Sequence, residues 1–310
     1  ALFESYRGRL SSAIRNRRSR PAVRYQDEIS RILFGDHPRV QPLTSEKVEA
    51  IGMEKTFDIF EQRFSGAGDF TYLFVGNIAE DELREYVKTY LASLPAGEEE
   101  SWKNRGVVFT DTSDTSEVYA GKEPKSRVTL MYTGPYEWSL ESNHALSSLS
   151  SALQIRLRES VREEAGGTYG VSVSTSSSKI PETEYVLMIS FTCDPERVEE
   201  LISIVESELG YMRENELDKS YAEKVREKQR SDWEEAKQEN SYWLSILKTS
   251  ERWALPVEEL LARDERIERV DSSMLREAAD TYLSEAVRLQ VVLYPENFRS
   301  ETEGGSSRLR

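Results

Sequence analysis

The sequence predicts an α+β fold in which one antiparallel sheet of the split β-α-β plan carries helices on one face. Over residues 127–294, strand-like and helix-like segments follow one another in the order β-α-β-β-α(ααα)-β. Upstream, the strand-like run 70–77 is followed by the helix-like run 81–94, and the two together predict a smaller α/β unit. These two observations predict two subdomains.

The composition is that of an acidic globular chain. Of the 310 residues 38% are hydrophobic, and 56 Asp and Glu against 41 Lys and Arg give a net charge of −15. Nucleic acid is not expected as a partner, because a nucleic-acid footprint is normally a net basic face. The basic run 15–20 is either a docking patch or the solvated end of a helix beside Pro21. No run approaches the ~20 apolar residues of a membrane-spanning helix, so no membrane span is predicted.

Helices are predicted for most of the first part of the chain. Apolar side chains recur at helical spacing over residues 1–35, and Pro21 interrupts them, which predicts two helices. Thr44 is predicted to cap a further helix, because an acidic first turn and an apolar stripe follow it. The aromatic and β-branched run 70–77 predicts a strand, and Pro95 closes the helix predicted after it.

A polar, turn-rich stretch then separates the two predicted subdomains. The expected organisation is an α/β subdomain at 1–97, a linker at 98–125, a second α/β subdomain at 126–297 and a flexible tail at 298–310. The first residue, Ala1, is not an initiator Met, and no signal-peptide pattern follows it. We therefore expect an internal start, from a truncated or a processed chain.

The second subdomain is predicted to contain most of the strands and several helices. Asp194 is expected to cap a helix that Pro195 begins. A long charged helix over residues 217–247 is expected to turn Tyr221, Val225 and Trp243 inward. The other predicted elements are a helix at 139–163, two shorter helices flanking Pro256, and strands at 127–132, 169–174, 185–192 and 289–294, of which the middle two form a hairpin.

Residues suited to metal binding or nucleophilic catalysis are scarce. The two histidines, His37 and His144, lack the neighbours of H-E-x-x-H and of H-x-x-E-H, so no helical zinc-protease site is predicted. A metal site assembled through folding from both histidines and a carboxylate stays open, beside the commoner role of surface or capping histidines. The single cysteine, Cys193, excludes an intramolecular disulfide and a multi-thiolate zinc site. A Ser-His-Asp triad is not predicted, because the sequence has no G-x-S-x-G elbow.

Residues 157–169 are not explained by core building alone. A helix is predicted to end at a glycine pair, with Arg162 in its last turn, and a strand opens at Tyr169. This spacing allows a guanidinium and a phenol to meet, where the first can donate to a substrate carbonyl and the second can stabilise a developing oxyanion. The alternative is structural: Arg162 pairs with a neighbouring glutamate, and Tyr169 packs on the sheet.

A family resemblance rests on three stretches. Residues 161–171, Val-Arg-Glu-Glu-Ala-Gly-Gly-Thr-Tyr-Gly-Val, resemble the Arg…Tyr motif in the C-terminal half of the pitrilysin/insulinase family of zinc peptidases, whose zinc motif is the inverted H-x-x-E-H. Residues 69–77 with 90–95 resemble the strand and helix that close one subdomain of that family, and residues 240–243 resemble its Asn-x-x-Trp. The resemblance implies that residues 1–97 are a partial third subdomain and residues 126–297 a complete fourth one, both of the pitrilysin/mitochondrial-processing-peptidase type. Bacterial periplasmic-type zinc peptidases, built as one long chain of four subdomains, are the similar members.

The resemblance also implies a division of labour between two halves that enclose a chamber. The N-terminal half holds the zinc and its ligands, while in the C-terminal half Arg162 would bind a substrate carbonyl and Tyr169 would polarise the scissile carbonyl or stabilise the tetrahedral intermediate. This chain is then the substrate-binding C-terminal half of a zinc metallopeptidase. It would have no cofactor of its own and would be inactive alone, with the N-terminal zinc-binding half and a peptide as partners.

Two alternatives stay open at this point. In the first, the chain is a non-catalytic partner subunit of a two-chain peptidase of the same family. In the second, it is a protein-interaction module that uses its acidic surface. The resemblance alone favours the bacterial periplasm or cell envelope as the compartment, and the residues themselves do not indicate one.

Overall fold

The computed structural model describes residues 1–17, 19–97, 100–164 and 168–298, apart from the side chains of residues 162–164, 168 and 169. Within these residues the chain forms two compact units. One contains residues 1–14, 43–104 and 229–264, and the other contains residues 15–42, 105–228 and those from 265 onward. Most of the predicted tail, residues 299–310, lies outside the described residues.

The helices begin close to the predicted signals. Pro21 is the first residue of the second helix, and Thr44 caps the third by accepting a hydrogen bond from the Lys47 N–H at 3.3 Å. Asp194 likewise accepts one from the Glu196 N–H at 3.0 Å. The helices are α1 (Leu2–Arg17), α2 (Pro21–Phe34), α3 (Ser45–Glu49), α4 (Met53–Phe64), α5 (Glu80–Tyr90), α6 (Leu140–Leu157), α7 (Val198–Glu214), α8 (Lys219–Ala236), α9 (Asn240–Trp253), α10 (Val257–Leu261), α11 (Arg263–Glu268) and α12 (Ser272–Leu283), with a π-helix at Arg158–Glu164 after α6 and a 3-10 turn at Pro195–Arg197 before α7.

A five-stranded sheet forms the centre of the second unit. Its strands are β1 (Asp114–Tyr119), β2 (Ser126–Pro135), β3 (Thr168–Ser178), β4 (Glu184–Cys193) and β5 (Val287–Tyr294). The spatial order is β1-β5-β2-β4-β3. β1 is parallel to β5, and the other neighbours are antiparallel. The predicted α+β class, the β3–β4 hairpin and the split β-α-β order are confirmed.

Three helices cover one face of this sheet, as the sequence predicted. Side chains of α6, α7 and α12 form a single core with every second residue of the central strands, including Leu130 of β2 and Ile189 of β4. Both side chains are fully buried, and burying a residue of this size contributes about 1.5–3 kcal/mol relative to exposure. The alternation of strand side chains between two faces explains why the period-two pattern predicted these strands.

The opposite face carries a helix that the sequence did not place there. Tyr25, Ile29 and Leu33 of α2 pack on Met131 and Leu289, which point away from α6, α7 and α12. The Tyr25 hydroxyl donates to the Thr129 hydroxyl at 2.7 Å. The spacing of apolar residues in α2 predicted a buried stripe but could not say which surface it would meet.

The predicted strand at residues 70–77 is wrong. In the described residues this run is extended but joins no β-ladder, and Phe70, Tyr72 and Phe74 are exposed. Aromatic and β-branched residues favour a strand, but a strand also needs a neighbour for its backbone N–H and C=O groups. The described part of this unit supplies no such neighbour.

The predicted long helix at 217–247 is also wrong, because it is broken between α8 and α9. After Ala236 the chain makes a turn, and the Trp243 indole N–H donates to the Lys237 carbonyl at 2.9 Å. Trp243 is 38% exposed, whereas Trp233 on α8 is only 6% exposed. Val225 is buried as predicted. Because the chain turns between α8 and α9, the helical spacing of α8 does not continue into α9. A single helix drawn through both therefore predicted Trp243 to be buried, whereas Trp233 is the buried one.

The expected linker contains an element of the sheet. β1 lies within residues 98–125 and pairs with β5, which is far from it in sequence. It has only one buried side chain, Val118, among polar residues, so it lacks an alternating pattern. The subdomain boundaries expected from the sequence remain a prediction about the intact protein.

Candidate functional site

Arg162 belongs to the π-helix that continues α6. Ser139 caps α6 by accepting the Ser142 N–H at 2.9 Å, and Leu153, Leu157 and Val161 anchor α6 and the π-helix in the core, all fully buried. A π-helix has a wider turn than an α-helix and is frequent at functional sites. The side chain of Arg162 lies outside the described residues, so its backbone alone is placed.

Tyr169 lies in a β-bulge at the start of β3. Thr168 pairs with Cys193 and Val171 pairs with Phe191, so β3 has one residue more than β4 between these pairs. A bulge locally increases the strand twist and re-aims a side chain, and bulges are frequent beside active sites. The Tyr169 side chain lies outside the described residues.

The two predicted site residues therefore flank one short connection, residues 165–167, which also lies outside the described residues. Each of them belongs to a backbone irregularity, a π-helix on one side and a bulge on the other. The meeting of the Arg162 guanidinium and the Tyr169 phenol stays a prediction. Spacing in the sequence indicated the pair, but neither irregularity was visible in it.

The π-helix is tied to α8 by hydrogen bonds and charge. The Tyr221 hydroxyl donates to the Glu159 carboxylate, and Lys224 lies 3.5 Å from the same group. Burial, together with the hydrogen bond to Glu159, raises the pKa of Tyr221, so its phenol stays protonated and remains a donor. The sequence predicted Tyr221 to be turned inward but gave no sign of Glu159 as its partner.

An ion pair links the end of α6 to α7. The Arg156 Nε atom donates to the Glu208 carboxylate at 2.9 Å. The Arg156 guanidinium also lies 5.0 Å from the ring centre of Tyr211 and 5.5 Å from that of Tyr221. Burial acts against the charge of Arg156, but the hydrogen bond to Glu208, the Glu208 charge and the interactions with Tyr221 together outweigh it and raise the arginine pKa. The arginine is permanently charged and holds α6, α7 and α8 together beside the candidate site.

A small cavity of about 270 Å³ lies next to the bulge. Gly170, which follows Tyr169, lines it together with Arg127 and Ser190. Its floor is polar, because the Thr129 and Ser190 hydroxyls are 2.9 Å apart and Tyr25 donates to Thr129. Burial raises the pKa of Tyr25, so its phenol stays neutral. A cavity with hydroxyl groups and one guanidinium can receive a carbonyl or a polar side chain of a peptide.

A larger cavity, of about 620 Å³, lies at the other end of the sheet. It is lined by Phe34, His37 and Glu184 among others. Glu184 and Cys193 mark the two ends of β4, which are separated by about 30 Å at ~3.3 Å per residue. The larger cavity is therefore remote from the bulge that carries Tyr169.

No group of three or more His, Cys, Asp or Glu residues suited to a metal ion occurs among the described residues. His37 holds its own loop, with Nε2 2.9 Å from the Arg105 carbonyl and Nδ1 accepting the Arg39 N–H at 3.2 Å. Cys193 is buried, and burial raises the pKa of its thiol to about 11. A thiol of that pKa stays protonated near neutral pH and is a poor nucleophile and metal ligand. The residues described here therefore do not fit a zinc site.

The search for membrane-spanning helices, made over the described residues, found none that is long and apolar enough to cross a bilayer.

The second unit is a split β-α-β sheet with helices on both faces, and its edge strand carries the backbone of Tyr169. The chain belongs to the M16 peptidase family, because more than half of it, residues 53–229, matches the family described as Peptidase M16 inactive domain. This match confirms the membership that the Arg162 and Tyr169 segment suggested.

Known proteins similar to this chain agree with that assignment. The probable zinc protease PqqL of Escherichia coli is 27% identical over 208 residues, which are 66% of this chain and 22% of that protein. The structure of the periplasmic protease PqqL from Escherichia coli superposes with a TM-score of 0.80 at 19% identity, over 95% of this chain and 33% of the other. A peptidase M16 inactive domain from Pseudomonas fluorescens gives a TM-score of 0.78 at 15% identity, over 96% of this chain and 71% of the other. The chain thus spans about a fifth of the length of the curated relative.

Proposed function

We propose that this chain is the substrate-binding, C-terminal half of a zinc peptidase that hydrolyses peptides or small proteins inside a closed chamber. The observation that carries the proposal is the placement of Arg162 and Tyr169 on a π-helix and a β-bulge that flank one short connection. Such irregularities are retained where a side chain must be aimed. Membership of the M16 inactive-domain family supports the same function.

The two side chains have distinct chemical roles. Arg162 donates two N–H groups in a fixed fork to a carbonyl oxygen of the substrate backbone. Tyr169 donates its O–H to the scissile carbonyl, where negative charge develops in the transition state. The hydroxyl-lined cavity beside Gly170 receives a neighbouring part of the peptide. None of these contacts breaks a bond, so the chain holds and polarises the substrate without cutting it.

The catalytic zinc belongs to another part of the parent protein. The described residues offer no metal cluster, and the similar protein PqqL is named a probable zinc protease. The N-terminal half is therefore the partner that completes the active site, and this chain alone cleaves nothing. We assign the parent to the periplasm, because the similar protein of known structure is called a periplasmic protease.

The first unit also supports the interpretation that residues 1–97 are part of a larger subdomain. Phe57, Phe60 and Phe64 on α4 are 56–61% exposed. They continue into Phe70 and Tyr72 through ring contacts of 5.0–6.5 Å. We call these five rings the α4 aromatic row. Contiguous apolar surface of this kind normally marks an interaction site, and the remainder of the subdomain is the partner that would cover it.

Complementation tests the proposed function directly. The N-terminal half of the parent protein, which is expected to carry H-x-x-E-H, is produced separately and assayed for cleavage of a fluorogenic peptide with and without this chain. Cleavage that appears only in the mixture supports the proposal. A zinc half that is equally active alone, or a mixture that stays inactive although the full-length protein cleaves the peptide, contradicts it. An upstream H-x-x-E-H in the same reading frame would exclude the alternative of a separate non-catalytic subunit.

A further inference from the structure

The side chain of Gln154 on α6 holds the backbone of β3 at two points. Its Nε2 atom donates to the Val171 carbonyl at 2.7 Å, and its Oε1 atom accepts the Val173 N–H at 2.9 Å. A primary amide presents an NH2 donor group and a carbonyl acceptor in one plane, so it can pair with a strand edge much as a peptide group does. Gln154 therefore takes the place that the backbone of a neighbouring strand would have.

This contact lies on the outer edge of the sheet. β3 is the last strand in the order β1-β5-β2-β4-β3, and β4 is the one strand that pairs with it among the described residues. In an antiparallel pair, the N–H and C=O groups of alternate residues point to opposite sides of a strand. Val171 and Val173 turn theirs toward Gln154, so the groups of Ser172 and Ser174 point to β4. Gln154 thus satisfies edge groups without disturbing the β3–β4 ladder.

The position of the contact relates it to the candidate site. Val171 is the residue at which regular pairing with β4 resumes after the bulge, and Tyr169 lies two residues before it. At Gly170, between them, an added Cβ would meet no heavy atom within 4 Å, so close packing does not fix the backbone there. Leu153 and Leu157, which flank Gln154, are fully buried and hold this part of α6 in place. The end of the bulge is therefore fixed from α6.

We infer that Gln154 is a positioning residue for Tyr169: its amide fixes the backbone at Val171 and Val173 and thereby the direction in which the bulge presents the phenol. This inference rests on the proposed function of Tyr169. Its chemical content is that a planar amide is needed at position 154, because a donor must face Val171 and an acceptor must face Val173. Misplacing a catalytic group by about 1 Å can cost on the order of 100-fold in rate.

A double-mutant cycle in the full-length protein tests the inference. Gln154→Met keeps the length of the side chain and removes both hydrogen bonds. We expect it to lower kcat about tenfold and to leave KM within about twofold, because the substrate still binds while the phenol is misdirected. In the Tyr169→Phe background the same substitution should change kcat by less than about twofold, since Gln154 acts through the phenol.

The cycle separates failure of the inference from failure of the proposed function. If Tyr169→Phe alone leaves kcat unchanged, the proposed role of Tyr169 is wrong, and the inference falls with it. If Tyr169→Phe lowers kcat but Gln154→Met lowers it equally in both backgrounds, or in neither, only the inference is wrong. Gln154 would then serve the edge of β3 without aiming Tyr169.

Two further variants guard against a general folding effect. Gln154→Glu keeps an acceptor for the Val173 N–H and replaces the donor to Val171, so its kcat should fall between wild type and Gln154→Met. Asn143→Asp makes the same amide-to-carboxylate change on the same helix, where Asn143 contacts Ser177 at the far end of β3, and should leave kcat unchanged. Hydrogen exchange of the Val173 amide should be about tenfold faster in Gln154→Met but not in Gln154→Glu. Unchanged exchange in Gln154→Met, or a fall in kcat for Asn143→Asp as large as for Gln154→Glu, would overturn the inference.

Discussion

The Tyr221 hydroxyl on α8 donates a hydrogen bond to the Glu159 carboxylate in the π-helix, three residues before Arg162. The bond joins two elements that are far apart in sequence, and it lies beside the Arg156–Glu208 ion pair. The helix that carries the predicted substrate arginine is thus held from outside the α6–β3 segment.

We predict that Tyr221→Phe lowers the free energy of unfolding by about 1.5 kcal/mol, the contribution expected of a hydrogen bond to a charged group. The ring stays next to Arg156, so only the hydroxyl is tested. Tyr211→Phe is the matched control, because Tyr211 contacts the same guanidinium through its ring. Urea unfolding of both variants measures the difference, and equal values for the two would mean that the Glu159 bond contributes nothing.

The two tryptophans of α8 and α9 should differ in their contribution to stability. Trp233 is 6% exposed, and its indole N–H donates to the Tyr242 hydroxyl at 2.8 Å. Replacing such a buried side chain by alanine costs about 3–5 kcal/mol. Trp243, at 38% exposed, should cost less than half as much on replacement. Denaturant unfolding of Trp233→Ala and Trp243→Ala makes the comparison, and a larger loss for Trp243→Ala would contradict the burial described here.

The buried thiol of Cys193 predicts a loss of stability at alkaline pH. Burial raises its pKa from 9.0 to about 11, so in this range the unfolded chain releases the thiol proton while the folded chain keeps it. Its contribution is therefore fully present below pH 9 and is lost as the pH rises toward 11. Unfolding of wild type and Cys193→Ala from pH 8 to 11 tests the sign. Above pH 9 the free energy of unfolding of the wild type should fall relative to that of Cys193→Ala. A difference that stays constant from pH 8 to 11 would disprove the assignment.

The α4 aromatic row should give the isolated chain an exposed hydrophobic binding surface. We expect the chain alone to bind a hydrophobic fluorescent dye, and Phe60→Ser with Phe64→Ser to reduce the signal about twofold or more, because those rings are more than half exposed. In the full-length protein the same substitutions should lower the unfolding midpoint, since the rings would then be covered. Dye binding that is equal in the chain and in the full-length protein would show that nothing covers the row.

Local sequence patterns predicted the elements that depend on local signals. Period-two alternation located the β3–β4 hairpin, and Thr44 and Asp194 marked their helix starts, because these signals act within a few residues. The strand expected at 70–77 failed because no other segment among the described residues pairs with it in a β-ladder. β1 was missed because its six residues bury only Val118 and pair with a strand at the other end of the chain.

The identity of the candidate site residues remains a prediction, and the backbone irregularities that carry them were not predicted. Arg162 and Tyr169 came from spacing and from family resemblance, whereas the π-helix and the bulge follow from how α6 meets β3 in three dimensions. Gln154 carried one weak signal, a polar residue between the buried Leu153 and Leu157. Its two backbone partners could not be deduced from the sequence, since they depend on α6 lying against the edge of the sheet.

Steady-state cleavage of a peptide by the full-length protein tests the central claim most directly. Arg162→Ala and Tyr169→Phe should each lower kcat/KM on the order of 100-fold, as expected for the loss of a donor to the developing oxyanion or the scissile backbone. The bound zinc should stay at the wild-type level, because no metal-binding cluster occurs among the residues that the structure describes. Arg158→Ala, at the exposed start of the same π-helix, is the control and should cleave normally. Wild-type cleavage by both the Arg162 and the Tyr169 variant would contradict the proposed substrate-binding site.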